Sequence, residues 1–273
     1  MDGVLSVLTE QTVDGVALWV VALICVGVFL ASFMDAIAGG GGIISVPPYL
    51  MALHTLPTYY ALGTNKLSAC IGTVFSTGRY IRGGYVEWRL FGPAAALSLL
   101  GSLGGTWLQH RTPDTVLKYL LLVVLPVVAV LTLRGHSWPD EAAPVPPVRR
   151  AAVVWGAALV IGAYDGYYGP GTGTFLMLAF VRLAGMDTRR AAGGTKVINL
   201  ASNLGAAVAA LASGYVLVKI GLISSVAAIA GHYLGAGLAI ENGGRLVRPV
   251  VVLVLALLAV KVGSELLFPG FWS

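Results

Sequence analysis

Long runs of apolar residues, separated by short polar stretches, recur along the whole chain. The first extends from Gly15 to Met34, and a shorter run of 11 residues, from Ile43 to Leu53, follows four consecutive glycines. A helix needs about 20 apolar residues to cross a bilayer, so the long runs predict membrane-spanning helices and the short one predicts a half-helix. Further apolar runs cover residues 61–81, 91–108, 116–133, 151–164, 174–183, 191–213, 216–240 and 246–268.

The composition agrees with a protein that is embedded in lipid. Of the 273 residues, 57% are apolar and only 11% are charged, whereas about a quarter of the residues in a soluble domain are charged. We therefore predict an all-α polytopic membrane protein with about eight to ten helical segments. Asp2, Glu10 and Asp14 precede the first apolar run without a basic residue, so we expect no cleavable signal sequence.

The second half of the sequence resembles the first when each residue is compared with the residue 130 positions later. This repeat offset aligns Asp35 with Asp165 and Lys66 with Lys196, and 18 of the 96 positions from 35 to 130 are identical under it. The composition alone accounts for roughly half of these identities, so we infer a duplication. We predict a first repeat at 1–133, a proline-rich cytoplasmic linker at 134–150 and a second repeat at 151–273.

The distribution of basic residues predicts how the repeats are oriented. We assume that the N-terminus is outside and that the two glycine-containing hairpins, 15–53 and 151–183, each return to the side where they begin. Only three basic residues then lie outside, as the positive-inside rule requires. Each half has one hairpin and three crossings, an odd number, so the second repeat is inverted. The eleven cytoplasmic arginines are Arg79, Arg82, Arg89, Arg134, Arg149, Arg150, Arg182, Arg189, Arg190, Arg245 and Arg248.

Glycine-rich breaks are predicted at corresponding places in the two halves. Each glycine costs about 1 kcal/mol relative to alanine inside a helix, so a run of glycines interrupts the helix. Such backbone is tolerated in a membrane beside a polar cavity, where the next helix presents N–H groups that suit an anion. Close helix packing is the alternative explanation. The first break contains Gly39, Gly40, Gly41 and Gly42, and the second contains Gly169, Gly171, Thr172, Gly173 and Thr174.

A lysine lies inside an apolar segment in each half. Charges inside membrane helices are costly and usually functional. Alternatively, each lysine is only about five residues, roughly 8 Å, from the start of its helix, and its side chain extends to the membrane surface. Lys196, Asn199 and Asn203 have the spacing i, i+3 and i+7, which places an ammonium and two amides on one helix face. The candidate binding residues on these segments are Asn65, Lys66, Thr195, Lys196, Asn199 and Asn203.

An aspartate precedes each break, Asp35 in the first half and Asp165 in the second. These carboxylates could cap N–H groups of the glycine turn, pair with Lys66 and Lys196, or couple a proton. If they neutralise both lysines, an anion site loses much of its attraction. A rival hypothesis is therefore a cation- or proton-selective pathway in which the aspartates bind the ion and the lysines are structural.

Other polar residues give weaker signals. His232, Glu87, His54 and Gln109 have no partner that the sequence identifies. Cys25 and Cys70 lack the spacing of a metal site, and no Ser-His-Asp, HExxH or Walker pattern is present. We therefore expect no enzymatic activity, no cofactor and no metal. In a membrane protein, an excess of Lys and Arg mostly reflects which loops face the cytoplasm. The positive net charge therefore does not indicate a nucleic-acid partner, and we expect none.

The breaks and the lysine elements together resemble the TauE/SafE sulfite exporter family. The most telling stretches are MDAIAGGGG at residues 34–42, followed by Pro47, and YDGYYGPGTG at residues 164–173. The resemblance covers nearly the whole chain and is greatest with a bacterial branch of "probable membrane transporter" proteins. Two departures are Thr172, which interrupts the glycine triplet of the second motif, and residues 175–178, which lack the proline of that motif.

The resemblance implies a secondary carrier in the cell inner membrane. Its cargo would be a small sulfur-containing anion such as sulfite, sulfoacetate or another organosulfonate. Carried over by position, the cavity would be lined by the two breaks and by the six candidates on the lysine segments, while Asp35 and Asp165 orient the lysines or couple a proton. The expected partners are the anion and the bilayer. Small-residue faces at 101–105 and 231–237 could pack within or between protomers, so a homodimer stays open.

Overall fold

The computed structural model of the protein describes residues 12–38, 41–120, 123–124 and 141–242. Apart from a two-stranded antiparallel ribbon, β1 (Thr12–Val13) and β2 (Val16–Ala17), the described chain is helical and forms an all-α membrane protein, as predicted. A turn of π-helix, Ala179–Leu183, directly follows the helix Thr172–Leu178. The helices are α1 (Leu18–Ala38), α2 (Gly42–Ala52), α3 (Thr58–Arg82), α4 (Trp88–Arg111), α5 (Pro147–Tyr167), α6 (Thr172–Leu178), α7 (Thr188–Ala212) and α8 (Val218–Asn242).

The helices coincide with the predicted apolar segments to within a few residues. By length and composition, α1, α7 and α8 are apolar enough to cross a membrane. The 11 residues of α2 span about 16 Å, so this element is a half-helix. Helix α5 begins at Pro147, because proline is favoured in the first turn, and includes the end of the predicted linker. Most of the predicted run 116–133 and all of 246–268 lie outside the described residues.

Large apolar side chains cover the outside of the bundle. Leu23 on α1, Val160 on α5 and Val226 on α8 are 58%, 68% and 68% exposed. Extensive exposed apolar surface on a protein marks contact with lipid or with another protein. Together with the apolar helices, this surface agrees with a multi-pass membrane protein.

Two long helix pairs are held together at glycines. Helix α4 packs against α5, and α8 packs against α1. A Cβ at Gly101 would collide with the main chain of Leu159, and a Cβ at Gly231 would collide with the main chain of Phe29. The small-residue faces at these two glycines therefore pack helices of the same protomer. The two contacts are equivalent in the two repeats, because the repeat offset aligns Gly101 with Gly231 and Phe29 with Leu159.

The two hairpins return to opposite ends of the bundle. Val16, before α1, and Leu53, after α2, belong to one apolar cluster with Ile220 at the start of α8. At the other end, Arg150 of α5 donates a hydrogen bond from Nε to the carbonyl of Ala184, which follows the π-turn. Each hairpin therefore begins and ends on one side, and its break lies inside the protein.

Candidate functional site

Two buried ion pairs connect the halves of the chain across the centre of the bundle. Lys66 Nζ of α3 lies 2.8 Å from Asp165 Oδ1 of α5, and Lys196 Nζ of α7 lies 2.6 Å from Asp35 Oδ2 of α1. Each lysine is eight residues into its helix, and the two side chains are 9% and 2% exposed. The lysine side chains therefore do not extend to the membrane surface, and each ammonium is paired with a carboxylate of the opposite half.

The pair of Lys66 and Asp165 has polar partners on two further helices, α6 and α7. Besides Asp165, the Lys66 ammonium donates to Asn203 Oδ1 of α7 at 3.1 Å. Thr172 Oγ1, at the start of α6, lies 2.6 Å from Asp165 Oδ1. Asp165 Oδ2 is buried, and no hydrogen-bond partner is found for it among the described residues. One carboxylate oxygen of this pair therefore keeps an unused acceptor position.

The Lys196 pair is more completely bonded. Its ammonium donates both to the Asp35 carboxylate and to the Asp35 main-chain carbonyl. Asn199 Nδ2 also donates to Asp35 Oδ2, at 3.4 Å, and the Gly41 N–H donates to Asp35 Oδ1, at 3.2 Å. Asp35 thus both caps the first glycine break and pairs with the lysine, which the sequence left as alternatives.

The two glycine breaks contact each other. A Cβ at Gly42 would lie 3.1 Å from the Pro170 Cα, and a Cβ at Gly169 would lie 3.0 Å from Lys66 Nζ. Gly169 and Gly171 have φ values of +98° and +88°, which side chains with a Cβ rarely adopt. These glycines allow the chain to turn sharply into α6. The N-termini of α2 and α6, where N–H groups of the first turn lack the i−4 carbonyl partner of a helix interior, therefore meet at the ion pairs.

A polar cavity of about 50 Å³ lies between the breaks and the ion pairs. It has room for a few water molecules at about 10–15 Å³ each. Residues of α1, α3, α5, α7 and α8 line it together with both breaks. Of the predicted site residues, those that line the cavity are Asp35, Gly41, Gly42, Asn65, Lys66, Asp165, Gly169, Gly171, Thr172, Gly173, Asn199 and Asn203.

The remaining predicted residues fall into two groups. Three of them are buried but do not line the cavity. Lys196 contacts Asp35, which does line it, and the other two are Thr174 and Thr195. Thr174 follows Thr172 by two residues, which turns its side chain toward the opposite side of the helix. Gly39 and Gly40 lie outside the described residues.

The cavity also contains polar residues that the sequence reasoning missed. The repeat offset aligns Thr73 with Asn203, so applying the repeat to Asn203 would have identified Thr73. Ser32 precedes Asp35 by three residues and shares its helix face. His232 had no assignable partner in the sequence because it approaches the site from α8, far along the chain. The missed polar lining residues are Ser32, Ser45, Ser68, Thr73 and His232.

Among the described residues, no group of three or more His, Cys, Asp or Glu side chains is placed to hold a metal ion. The four charged side chains at the centre sum to zero formal charge. The described part of the site therefore offers two ammonium groups, two carboxylates, one imidazole, neutral amides and hydroxyls, and helix N-termini. Such a set can bind and release a small polar solute or a proton.

Comparison with known proteins identifies the family. The model of the family "Sulfite exporter TauE/SafE" matches residues 23–262. The "Probable membrane transporter protein ORF9" of Sinorhizobium sp. is 36% identical over 253 residues, which are 91% of this chain and 94% of that protein. A "Probable membrane transporter protein" of Haemophilus influenzae is 35% identical over 241 residues, 88% of this chain and 92% of that one.

A third relative gives the same picture. The "Probable membrane transporter protein YfcA" of Escherichia coli is 32% identical over 249 residues, 87% of this chain and 89% of that protein. No solved structure matches the chain. The family model and the relatives cover nearly the whole sequence, including both ion pairs and both breaks. The chain therefore belongs to the TauE/SafE sulfite exporter family, and it is a membrane transporter rather than an enzyme.

Proposed function

We propose that the protein is a secondary transporter of a small sulfur-containing anion, such as sulfite, sulfoacetate or another organosulfonate. The observation that carries this proposal is the cavity where two helix N-termini and the Lys66 ammonium meet. Helix N-termini and ammonium groups are the donors that an oxyanion needs once it leaves water. The family name supports a sulfur oxyanion as the cargo.

In this proposal Lys66 is the direct ligand and Lys196 acts indirectly. Lys66 faces the cavity, whereas Lys196 is behind Asp35 and donates to it twice. An ammonium has three donors, so Lys66 can keep Asp165 and Asn203 as partners while it binds one oxygen of the anion. Lys196 holds Asp35, which in turn fixes the first break through Gly41.

We also propose that the two halves are inverted repeats that alternate access to the cavity. The recurrence of contacts at the repeat offset supports this. The offset aligns each residue of the pair Lys66–Asp165 with the equivalent residue of the pair Lys196–Asp35. It also aligns the packing contact at Gly101 with the one at Gly231. Two pseudo-equivalent halves around one central site can exchange conformations, and the site then opens to each side in turn.

Charge balance favours proton coupling. The two lysines and two aspartates cancel, so an anion that enters alone leaves the buried site with a net negative charge. Burying an unbalanced charge is costly. A proton that enters with a monovalent anion restores neutrality, so we propose proton-coupled movement.

One observation favours a second candidate, a cation- or proton-coupled transporter of a different small solute with Asp35 and Asp165 as the ion site. Both lysines are paired, and the buried oxygens Asp165 Oδ2 and Asn65 Oδ1 have no hydrogen-bond partner among the described residues. Strong loss of transport in Asp35→Asn with tolerance of Lys66→Gln would favour this candidate. Loss of transport in Lys66→Gln, in protein that still folds, would favour the anion carrier.

A thermal-shift titration tests the proposed function. Purified protein in detergent is heated with sulfite, sulfate, thiosulfate, sulfoacetate, taurine or chloride, because a ligand that binds only the folded state stabilises it by RT ln(1 + [L]/Kd). We expect a selective shift with one sulfur anion, and its loss in Lys66→Ala. Absence of a shift with every sulfur anion, or an unchanged shift in Lys66→Ala, would contradict the proposed anion site.

The location and partners follow from the same proposal. We propose the cell inner membrane as the site of action, with the anion and the bilayer as the partners of the chain.

A further inference from the structure

We infer that His232 binds the proton that is co-transported with the anion. This inference rests on the proposed function and deepens it, because it assigns the coupling proton to an imidazole rather than to Asp35 or Asp165. His232 lies on α8, is 2% exposed and lines the cavity.

The ring of His232 is tightly packed between two helices. A Cβ at position 72 would lie 2.6 Å from His232 Cδ2 and 2.8 Å from the Ala228 Cβ, so glycine is needed at Gly72 for the ring to pack against α3. The ring is therefore held between α3 and α8 at the edge of the cavity. The repeat offset aligns His232 with Ser102, whose hydroxyl donates to the Ser202 carbonyl at 2.5 Å. The imidazole thus occurs in one half only.

The hydrogen bonds of Thr73 define the protonation of the ring. Thr73 Oγ1 donates to the Ala69 carbonyl at 2.7 Å, and the same oxygen has a long contact of 3.5 Å with His232 Nε2. A hydroxyl has one proton, so this contact favours the tautomer of the neutral imidazole in which Nε2 carries the hydrogen and Thr73 accepts. Nδ1 is then an unprotonated acceptor. It is buried and has no hydrogen-bond partner among the described residues.

The surrounding charges favour the imidazole over the aspartates as the proton carrier. Asp35 of α1, Lys66 of α3 and Asp165 of α5 line the same cavity as His232, and Lys196 of α7 is paired with Asp35. Protonation of either aspartate would break a buried ion pair and leave a lysine charge without its partner, which is strongly unfavourable. Protonation of His232 Nδ1 leaves both pairs intact and gives the site a single positive charge. That charge matches one monovalent anion, so one proton and one anion would enter together without net charge.

The test uses proteoliposomes and methanesulfonate, a sulfonate whose own protonation does not change between pH 5 and 8. An inward methanesulfonate gradient is imposed, and its uptake is followed together with the internal pH. We expect the wild type to acidify the interior during uptake, and its uptake rate to fall about tenfold or more from pH 6 to pH 8, because uptake requires a proton on His232 and the proton concentration falls over this range. In His232→Gln we expect residual uptake that neither acidifies the interior nor varies with pH. His54→Gln, at an exposed histidine whose Nδ1 contacts the Met51 carbonyl, is the matched control and should behave as the wild type.

The outcomes separate the inference from the proposed function. Uptake with normal acidification and normal pH dependence in His232→Gln would overturn the role of His232 and leave the anion carrier standing. No movement or binding of methanesulfonate or of any sulfur anion in the wild type would contradict the proposed function itself. A folding defect is detected by size-exclusion chromatography, and His232→Asn, which keeps an acceptor near the Nδ1 position, then replaces His232→Gln. Asparagine has no titratable group, so His232→Asn should also abolish acidification of the interior.

Discussion

The two central ion pairs have the same residue types at equivalent places, yet their surroundings differ. Both oxygens of Asp35 are bonded, Oδ1 to the Gly41 N–H and Oδ2 to Lys196 and Asn199. Asp165 Oδ2 has no hydrogen-bond partner among the described residues, and Lys66, unlike Lys196, lines the cavity. The pair of Lys196 and Asp35 is therefore closed, while that of Lys66 and Asp165 is open to a ligand.

This difference suggests a structural role for the closed pair and a ligand-binding role for the open pair. A buried ion pair with all its hydrogen bonds satisfied holds helices in place, and breaking it by removing one partner is costly. The Lys66 ammonium faces the cavity, so it can donate to an anion while Asp165 and Asn203 stay its partners. We therefore expect variants of the closed pair to affect stability most, and variants around the open pair to affect anion binding most.

The largest expected effect is on the stability of the closed pair. Lys196→Ala leaves the Asp35 carboxylate buried without its ammonium partner and should lower the free energy of unfolding by about 3–5 kcal/mol. Denaturant unfolding of the detergent-solubilised protein measures this change. The control is Lys118→Ala, because Lys118 is 61% exposed in its ion pair with Asp114 and should contribute less than about 1 kcal/mol. Equal effects of the two substitutions would contradict the structural role of Lys196.

A smaller stability effect, with a specific loss of binding, is expected at the second break. Gly169→Ala forces a Cβ into a backbone with φ +98° and brings it against the Lys66 ammonium. Gly214→Ala is the matched control, since Gly214 has φ +74° and open space around the added Cβ. Both substitutions should cost about 1 kcal/mol of stability from backbone strain.

The anion-induced thermal shift distinguishes these two glycine variants. It should be lost in Gly169→Ala, where the ammonium is displaced, and retained in Gly214→Ala. Equal retention in both would show that the contact between Gly169 and Lys66 is unimportant for binding.

The smallest expected effect concerns the amides. Asn203→Ala removes the second partner of the Lys66 ammonium and should weaken anion binding by about 1 kcal/mol, roughly fivefold, because the ammonium loses a partner that orients it. Asn199→Ala, which removes a 3.4 Å contact to Asp35, should leave the dissociation constant within about twofold. Isothermal titration calorimetry with the anion identified by thermal shift measures both. A larger loss in Asn199→Ala would reverse the assignment of the open pair.

Much of the fold could be predicted from the sequence because lipid imposes a simple rule. Helices need long apolar runs, and the observed bounds of α1, α3, α7 and α8 follow those runs closely. The half-length of α2 was also predicted, from the 11-residue apolar run Ile43 to Leu53. The glycine contacts within the protomer could not be predicted, since a small residue fits equally well at an interface between two protomers.

The site was predicted in part, and the missing part has a physical cause. Charged residues in apolar runs are costly, so Lys66, Lys196, Asp35 and Asp165 could be identified without coordinates. Their pairing could not be assigned, because sequence does not reveal which aspartate each lysine reaches. His232 was missed as a site residue because a single histidine on an apolar helix has no periodic signal. Its position depends on how α8 packs against α3.

The most direct test of the central difference is to neutralise each pair as a unit and to measure the anion-induced thermal shift. One variant carries Lys66→Met with Asp165→Asn, and the other carries Lys196→Met with Asp35→Asn. Neither leaves a buried charge unpaired, so both should fold. We predict that the first variant loses the shift and that the second retains it. Retention in the first variant, or equal loss in both, would contradict the conclusion that Lys66 and Asp165 form the ligand-binding pair.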